Sequence, residues 1–108
     1  MTKSIEEYSE VDEIIQHVSE ENPDATMFRD PDFYNAIVGY YYNEMDLPVL
    51  VYKYDKMVEC LAAEYNDSED PYIDAIEWID YNTLRTLPYM DAKGRPIIIY
   101  WKIFPKYG

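Results

Sequence analysis

The chain has 108 residues, of which 48% are hydrophobic, and it carries a formal net charge of −13 at pH 7. This length fits one domain spanning residues 1–108, and the hydrophobic fraction is too high for a disordered acidic tail. So negative a field disfavours direct binding to nucleic acid or to an anionic membrane surface, and it favours basic protein partners.

The first predicted element is an amphipathic helix over residues 4–20. Ser4 and Glu7 match a capping box, which is typical of a helix N-terminus. The Asn-Pro-Asp sequence at 22–24 ends the helix. Its apolar positions recur at spacings of three and four and are Ile5, Tyr8, Val11, Ile15 and Val18.

Two strands are predicted next, and together they make a hairpin. Residues 33–42 are rich in β-branched and aromatic side chains, with Gly39 among them. Residues 43–47 form the loop, and Pro48 opens the second strand over residues 49–54.

Two helices and a last strand complete the pattern. Asp55 is the expected N-cap of a helix over residues 56–65. Asp70 and Pro71 begin a third helix, which should fade near Asn82 and bury Ile73, Ile76 and Ile79. Residues 83–94 are expected to be irregular. The unbroken apolar run within residues 97–104 indicates a strand that is buried on both faces or central.

These elements predict an α+β fold. The expected architecture is a three-stranded, mainly antiparallel sheet packed by about three helices, in the order α-β-β-α-α-β.

The negative charge belongs to the predicted helices. Residues 1–32 hold 10 acidic and 2 basic side chains, and residues 55–82 hold 9 acidic and 1 basic, whereas residues 83–108 hold 1 acidic and 5 basic. At helical spacing the acids form two rows, Glu6, Glu10 and Glu13 on helix one and Asp70, Asp74 and Glu77 on helix three. Like charges at this spacing destabilise a helix by about 0.2–0.5 kcal/mol per pair.

Two interpretations of these rows stay open. Side chains three or four residues apart on a helix lie about 5–6 Å from each other, close to a phosphate-like spacing, so each row suits mimicry of a nucleic-acid backbone. The alternative is an ordinary solvated helix face. The chain also has 13 tyrosines, which favour adhesive surfaces, and Tyr41, Tyr42 and Tyr72 are the candidates for contact area.

No residue pattern points to catalysis, a cofactor or a metal. His17 has no second histidine or cysteine at ligand spacing. Cys60 is the single cysteine of the sequence, which excludes an internal disulfide, and it is interpreted as a structural thiol. Residues 66–77 approach a calcium-binding loop, but Pro71 stands where that loop needs glycine. With no signal segment at the N-terminus, the sequence predicts a cytoplasmic protein. Because no catalytic pattern is present, it also predicts that the protein is not an enzyme.

One stretch of the chain resembles a known group of proteins. It consists of Tyr-Asp-Lys-Met-Val-Glu at 54–59, Glu-Trp-Ile-Asp-Tyr-Asn-Thr-Leu-Arg-Thr-Leu-Pro-Tyr at 77–89 and Pro-Ile-Ile-Ile at 96–99. These segments are similar to small, largely uncharacterised proteins of phages, prophages and mobile elements of Gram-positive bacteria. The resemblance implies a context of inhibitors of host machinery, anti-CRISPR proteins among them, and it transfers no functional residues.

The same stretch also has a structural interpretation. Five apolar or aromatic residues should anchor helix three and the following crossover to the sheet. Arg85 should pair with an acid or with exposed carbonyls. The five expected anchors are Trp78, Tyr81, Leu84, Leu87 and Tyr89.

The sequence therefore predicts a phage-type inhibitor that blocks a basic nucleic-acid-binding host protein, such as a Cas effector, by acidic mimicry of nucleic acid. The alternative is an interaction or regulatory module that binds through a tyrosine-rich surface, with the acidity serving only solubility. That alternative predicts a homodimer formed by pairing of an exposed strand edge.

Overall fold

The computed structural model describes residues 2–29, 31 and 33–100, with residues 2–9 described by their backbone alone. It confirms the α+β class and the predicted order of elements. The helices and strands are α1 (Thr2–Glu21), β1 (Ile37–Tyr42), β2 (Pro48–Lys53), α2 (Tyr54–Ala62), α3 (Pro71–Trp78) and β3 (Ile97–Ile99). Among the described residues, no helix is long and apolar enough to cross a bilayer.

The sheet is mixed, with β2 in the centre. β1 pairs with β2 in antiparallel register, placing Tyr40 opposite Leu50, and β3 pairs with β2 in parallel register, placing Ile97 beside Val51. β3 is a half-buried edge strand, so the prediction of a central or doubly buried strand was wrong. The apolar run at residues 97–99 led to this error because hydrophobicity alone does not distinguish an edge strand from a central one. Residues 101–104 of the predicted strand lie outside the described residues.

The main core lies between the sheet and the helices. α1 packs on β1 and β2, α2 packs on β2, and α3 packs on α2. Tyr52 is fully buried at the centre of the sheet, and its hydroxyl accepts a hydrogen bond from the backbone nitrogen of Phe28 at 3.0 Å. Helical residues that complete the buried cluster are Val18, Met57, Val58, Leu61, Ala62, Ala75 and Ile79.

Buried hydrogen bonds of Asn22 and Gly94 connect three separate segments of the chain. The side-chain amide of Asn22, which is 1% exposed, donates to the carbonyls of Pro48 and Lys93, both at 2.9 Å. The carbonyl of Gly94 accepts from the backbone nitrogen of Thr26, also at 2.9 Å. The end of α1, the start of β2 and the turn before β3 are thereby held at fixed positions.

Local rules placed some helix ends correctly and missed others. Asp70 is the N-cap of α3, as predicted, and its carboxylate accepts from the backbone nitrogen of Ile73 at 3.2 Å. The other two expected caps were wrong, because α1 begins before Ser4 and Asp55 lies in the first turn of α2. Ile73 is 48% exposed rather than buried, since α3 turns a different side towards α2.

The chain after α3 stays helical but changes its winding. Ile79–Thr83 form a π-helical turn and Leu84–Tyr89 a 3₁₀ segment. Tyr81 is 70% exposed and Tyr89 is 89% exposed, so the prediction that they anchor this segment to the sheet was wrong. The guanidinium of Arg85 lies 4.8 Å from the centroid of the Tyr81 ring, which is a cation–π contact. Among the described residues, Arg85 has no hydrogen bond or ion pair with the expected acid or carbonyl.

Candidate functional site

The acidic row of α1 faces solvent. Glu10 and Glu13 are both exposed, and neither side chain has a hydrogen bond or an ion pair among the described residues. The backbone places Glu6 one turn before Glu10 on the same helix, whereas the side chain of Glu6 lies outside the described residues. Carboxylates without a local partner keep their full charge available to an incoming cation.

Aromatic side chains of β1 lie beside this row. The ring of Tyr40 stacks near the His17 imidazole, with 4.4 Å between centroids, and Tyr40 remains 44% exposed. Together Glu10, Glu13, Ile14, His17, Gly39 and Tyr40 border an open depression of about 490 Å³, which we call the α1 patch. The patch combines two carboxylates that have no partner among the described residues with the exposed ring of Tyr40.

Tyr42 fixes the geometry of this region by joining β1 to α1. Its hydroxyl donates to the Glu21 carboxylate at 3.0 Å. Because that bond uses the only hydroxyl proton, the His17 Nε2, at 3.0 Å, donates to the Tyr42 oxygen. Partial desolvation, followed by the hydrogen bond to Glu21, raises the pKa of Tyr42 above its ordinary value. Tyr42 therefore holds β1 against α1 through these hydrogen bonds, and it also contributes exposed surface.

Tyr41 belongs to a different surface. Successive strand residues alternate between the two faces of a sheet, so Tyr41 lies opposite to Tyr40 and Tyr42. It is 60% exposed, and together with Met45 and Arg95 it lines a shallow groove between the hairpin loop and the turn before β3. The structure thus separates Tyr41 from the acids of α1.

The acidic row of α3 is partly engaged in local structure. Asp70 caps the helix, and the Asp74 carboxylate accepts a hydrogen bond from the Ser68 hydroxyl. Glu77 is exposed and has no such partner among the described residues. Two members of this row therefore have a structural role that the Glu10 and Glu13 side chains lack.

A second concave site lies between α2 and α3. It is a pocket of about 330 Å³, lined mainly by apolar and aromatic surface. We call it the tyrosine pocket, and its lining residues are Tyr54, Asp55, Val58, Glu59, Tyr72, Ile76 and Tyr100. Tyr72 and Ile76, one turn apart on α3, face this pocket, whereas the acids of the α3 row recur on another side of that helix.

Aromatic contacts shape the pocket wall. The rings of Tyr54 and Tyr100 lie 4.8 Å apart between centroids at an interplanar angle of 43°. The Tyr54 hydroxyl donates to the Asp80 carboxylate at 3.1 Å. Burial, followed by this hydrogen bond, raises the pKa of Tyr54 to about 12, and burial, followed by the charge of Asp80, raises the pKa of Tyr100.

The raised pKa of Tyr54 predicts a pH dependence of stability. The neutral phenol is favoured in the folded chain, so its contribution is complete below pH 10 and is lost as the pH rises towards about 12. In a ¹³C NMR titration of labelled tyrosines, we expect the Tyr54 signal to titrate last or nearly last, and Asp80→Asn to lower its midpoint. A Tyr54 midpoint at the ordinary value of 10, unchanged by Asp80→Asn, would contradict this assignment.

Several residues of these two sites were not among the sequence-based candidates. Tyr40 shares a strand face with Tyr42, so strand alternation could have grouped it with that candidate. Asp55 and Glu59 recur four residues apart on α2, which places them on one helix face. No sequence signal could have indicated Tyr100, because its position depends on the parallel pairing of β3 with β2.

No group of three or more histidine, cysteine, aspartate or glutamate side chains within the described part of the chain could hold a metal ion.

Comparison of the chain with protein-family models, with curated proteins and with solved structures returns no match.

Proposed function

We propose that this chain is a small acidic inhibitor that binds a basic nucleic-acid-binding protein and blocks its nucleic-acid site. The binding surface is the α1 patch, with the α3 row as a second acidic surface. Lysines and arginines of the partner would meet Glu10 and Glu13, and the Tyr40 ring would supply apolar contact area beside them. No catalysis and no cofactor are part of this mechanism.

The observation that carries the proposal is the state of the α1 carboxylates. Glu10 and Glu13 are exposed, have no partner among the described residues and lie beside an exposed tyrosine. A row of like charges costs helix stability, and no lysine or arginine among the described residues of the patch offsets that cost. Binding a cationic surface would convert this repulsion into favourable contacts and release the partner's counterions.

The specific form of the proposal is a phage-type anti-defence protein acting in the cytoplasm of a bacterial host, with a Cas effector as the partner. This form rests on the resemblance of residues 54–99 to small proteins of phages and mobile elements. Charge and shape support binding to a basic protein, and the resemblance supports the choice of host defence as its setting.

The direct experiment is capture of the partner. The tagged chain is incubated with lysate of a Gram-positive host that carries CRISPR–Cas, and the resin is washed at low and at high salt, with and without competing duplex DNA. We expect a nucleic-acid-binding protein that is retained at low salt and released both by salt and by DNA. Retention through both washes would contradict acidic mimicry.

The alternative function is supported by a separate observation on β1. This strand is an edge of the sheet, and Val38, Tyr40, Tyr41 and Tyr42 are each at least 40% exposed. An exposed strand edge with large side chains is suited to pairing with another strand. A module that works in this way would form homodimers, detectable by sedimentation equilibrium, and its binding would depend little on salt.

A further inference from the structure

The tyrosine pocket between α2 and α3 has a chemistry of its own, distinct from that of the α1 patch. Tyr54 of α2, Tyr72 of α3 and Tyr100, which directly follows β3, line it, and Tyr72 is 54% exposed at its rim. Pockets for small ligands usually measure about 300–1,000 Å³, so a cavity of about 330 Å³ lies at the small end of that range and has room for one side chain.

Negative charge surrounds this aromatic lining. Asp55 and Glu59, one turn apart on α2, are part of the pocket wall. Asp80 adds a third carboxylate, which accepts the hydrogen bond of the Tyr54 hydroxyl. Tyrosine faces attract cations through the ring quadrupole, and carboxylates at the edge of such a cage favour a cation over a neutral ligand.

One atom of the pocket wall lacks a partner. The Oδ1 of Asp55 is buried and accepts no hydrogen bond from the described residues. A buried polar atom without a partner is unfavourable, so a donor that reached it would be bound favourably. The Glu59 carboxylate is exposed and likewise has no side-chain hydrogen bond or ion pair among the described residues.

We propose that the tyrosine pocket binds an arginine side chain of a protein partner. A guanidinium is planar, stacks on aromatic faces and presents several donors in a fixed geometry that matches carboxylates. Its plane would lie against the tyrosine rings while its N–H groups donate to Asp55 and Glu59. An ammonium group of lysine meets the charge requirement but not the stacking one, because it is compact and strongly hydrated.

The preference of the pocket for arginine follows from its own chemistry. The identification of the partner as a basic nucleic-acid-binding protein rests on the proposed function. The two ideas therefore fail separately. The pocket can be tested on the isolated chain with a small probe, without knowledge of the partner.

The probe is a blocked pentapeptide, Gly-Gly-Arg-Gly-Gly, titrated into the ¹⁵N-labelled full chain and followed by NMR. Matched peptides carry citrulline, which keeps the shape and loses the charge, or lysine in place of arginine. We expect saturable shifts at residues 54–59, 72–76 and 100 with arginine, and binding weaker by at least about fivefold with lysine or citrulline. Equal shifts with citrulline, or shifts confined to the α1 patch, would overturn the proposal.

Two pairs of variants sharpen the test. Asp55→Asn should weaken arginine binding by about tenfold, whereas Asp67→Asn, which removes the same charge from an exposed loop outside the pocket, should leave it unchanged. Tyr72→Ala should weaken binding by about fivefold and Tyr72→Phe should retain it, because phenylalanine keeps the cation–π contact. Unchanged binding in both Asp55→Asn and Tyr72→Ala would overturn the proposal.

Discussion

Reversal of two charges on α1, Glu10→Lys with Glu13→Lys, is expected to lower the affinity for the captured partner by about a hundredfold. Both side chains are exposed and have no partner among the described residues, so the change removes two attractive charges and adds two repulsive ones. Folding should not suffer, since lysine in an acidic row relieves like-charge repulsion. Affinity is measured by biolayer interferometry, and folding is checked by circular dichroism.

The matched control is Glu44→Lys with Glu64→Lys. It changes the net charge by the same amount at two exposed positions outside the α1 patch and the tyrosine pocket. We expect this control to lose less than about threefold in affinity, because distant surface charges are screened by salt. Equal losses in both double variants would show that total charge, and not the α1 patch, governs binding.

Replacement of Gly94 by alanine is expected to destabilise the fold by about 3 kcal/mol. An added Cβ would lie 1.9 Å from the Asp24 carbonyl oxygen and 2.9 Å from the Ala25 Cα, and both are backbone atoms that cannot move aside cheaply. Moving these two backbone segments apart would strain the hydrogen bond from Asn22 to Lys93 and the one from Thr26 to Gly94. Urea denaturation of the purified variant measures the change in the free energy of unfolding.

Gly39→Ala is the control for this prediction. A Cβ at Gly39 would have no heavy atom within 4 Å, so the substitution meets open space. Alanine also reduces the conformational entropy of the unfolded chain, and we therefore expect a change within about 0.5 kcal/mol of the original stability. A Gly94→Ala variant as stable as Gly39→Ala would contradict the close approach of the two backbone segments.

The sequence predicted best those features that depend on local rules. The cap formed by Asp70 and the start of α3 at Pro71 follow from side-chain chemistry within a few residues, and both are present. The expected cap at Asp55 failed because the helical turn already begins at Tyr54, directly after β2. Helix ends are defined only to within one or two residues, and a shift of this size moves Asp55 from the expected cap into the first turn.

Features set by tertiary contacts could not be predicted in this way. The alternation of side chains along β1 does place Tyr40 and Tyr42 together, but only the packing of α1 shows which face they occupy. The exposure of Tyr81 depends on the π-helical turn, which shifts the register of a helix that the sequence would continue regularly. The tyrosine pocket is formed by three segments that are distant in sequence, so no local pattern indicates it.

The most direct test of acidic mimicry uses the purified partner identified by capture. Its dissociation constant for this chain is measured between about 50 and about 300 mM NaCl, with and without duplex DNA. We predict that the dissociation constant rises at least about tenfold over this range and that DNA and the chain exclude each other from the partner. A dissociation constant independent of salt, together with a ternary complex that contains DNA, would contradict mimicry of nucleic acid.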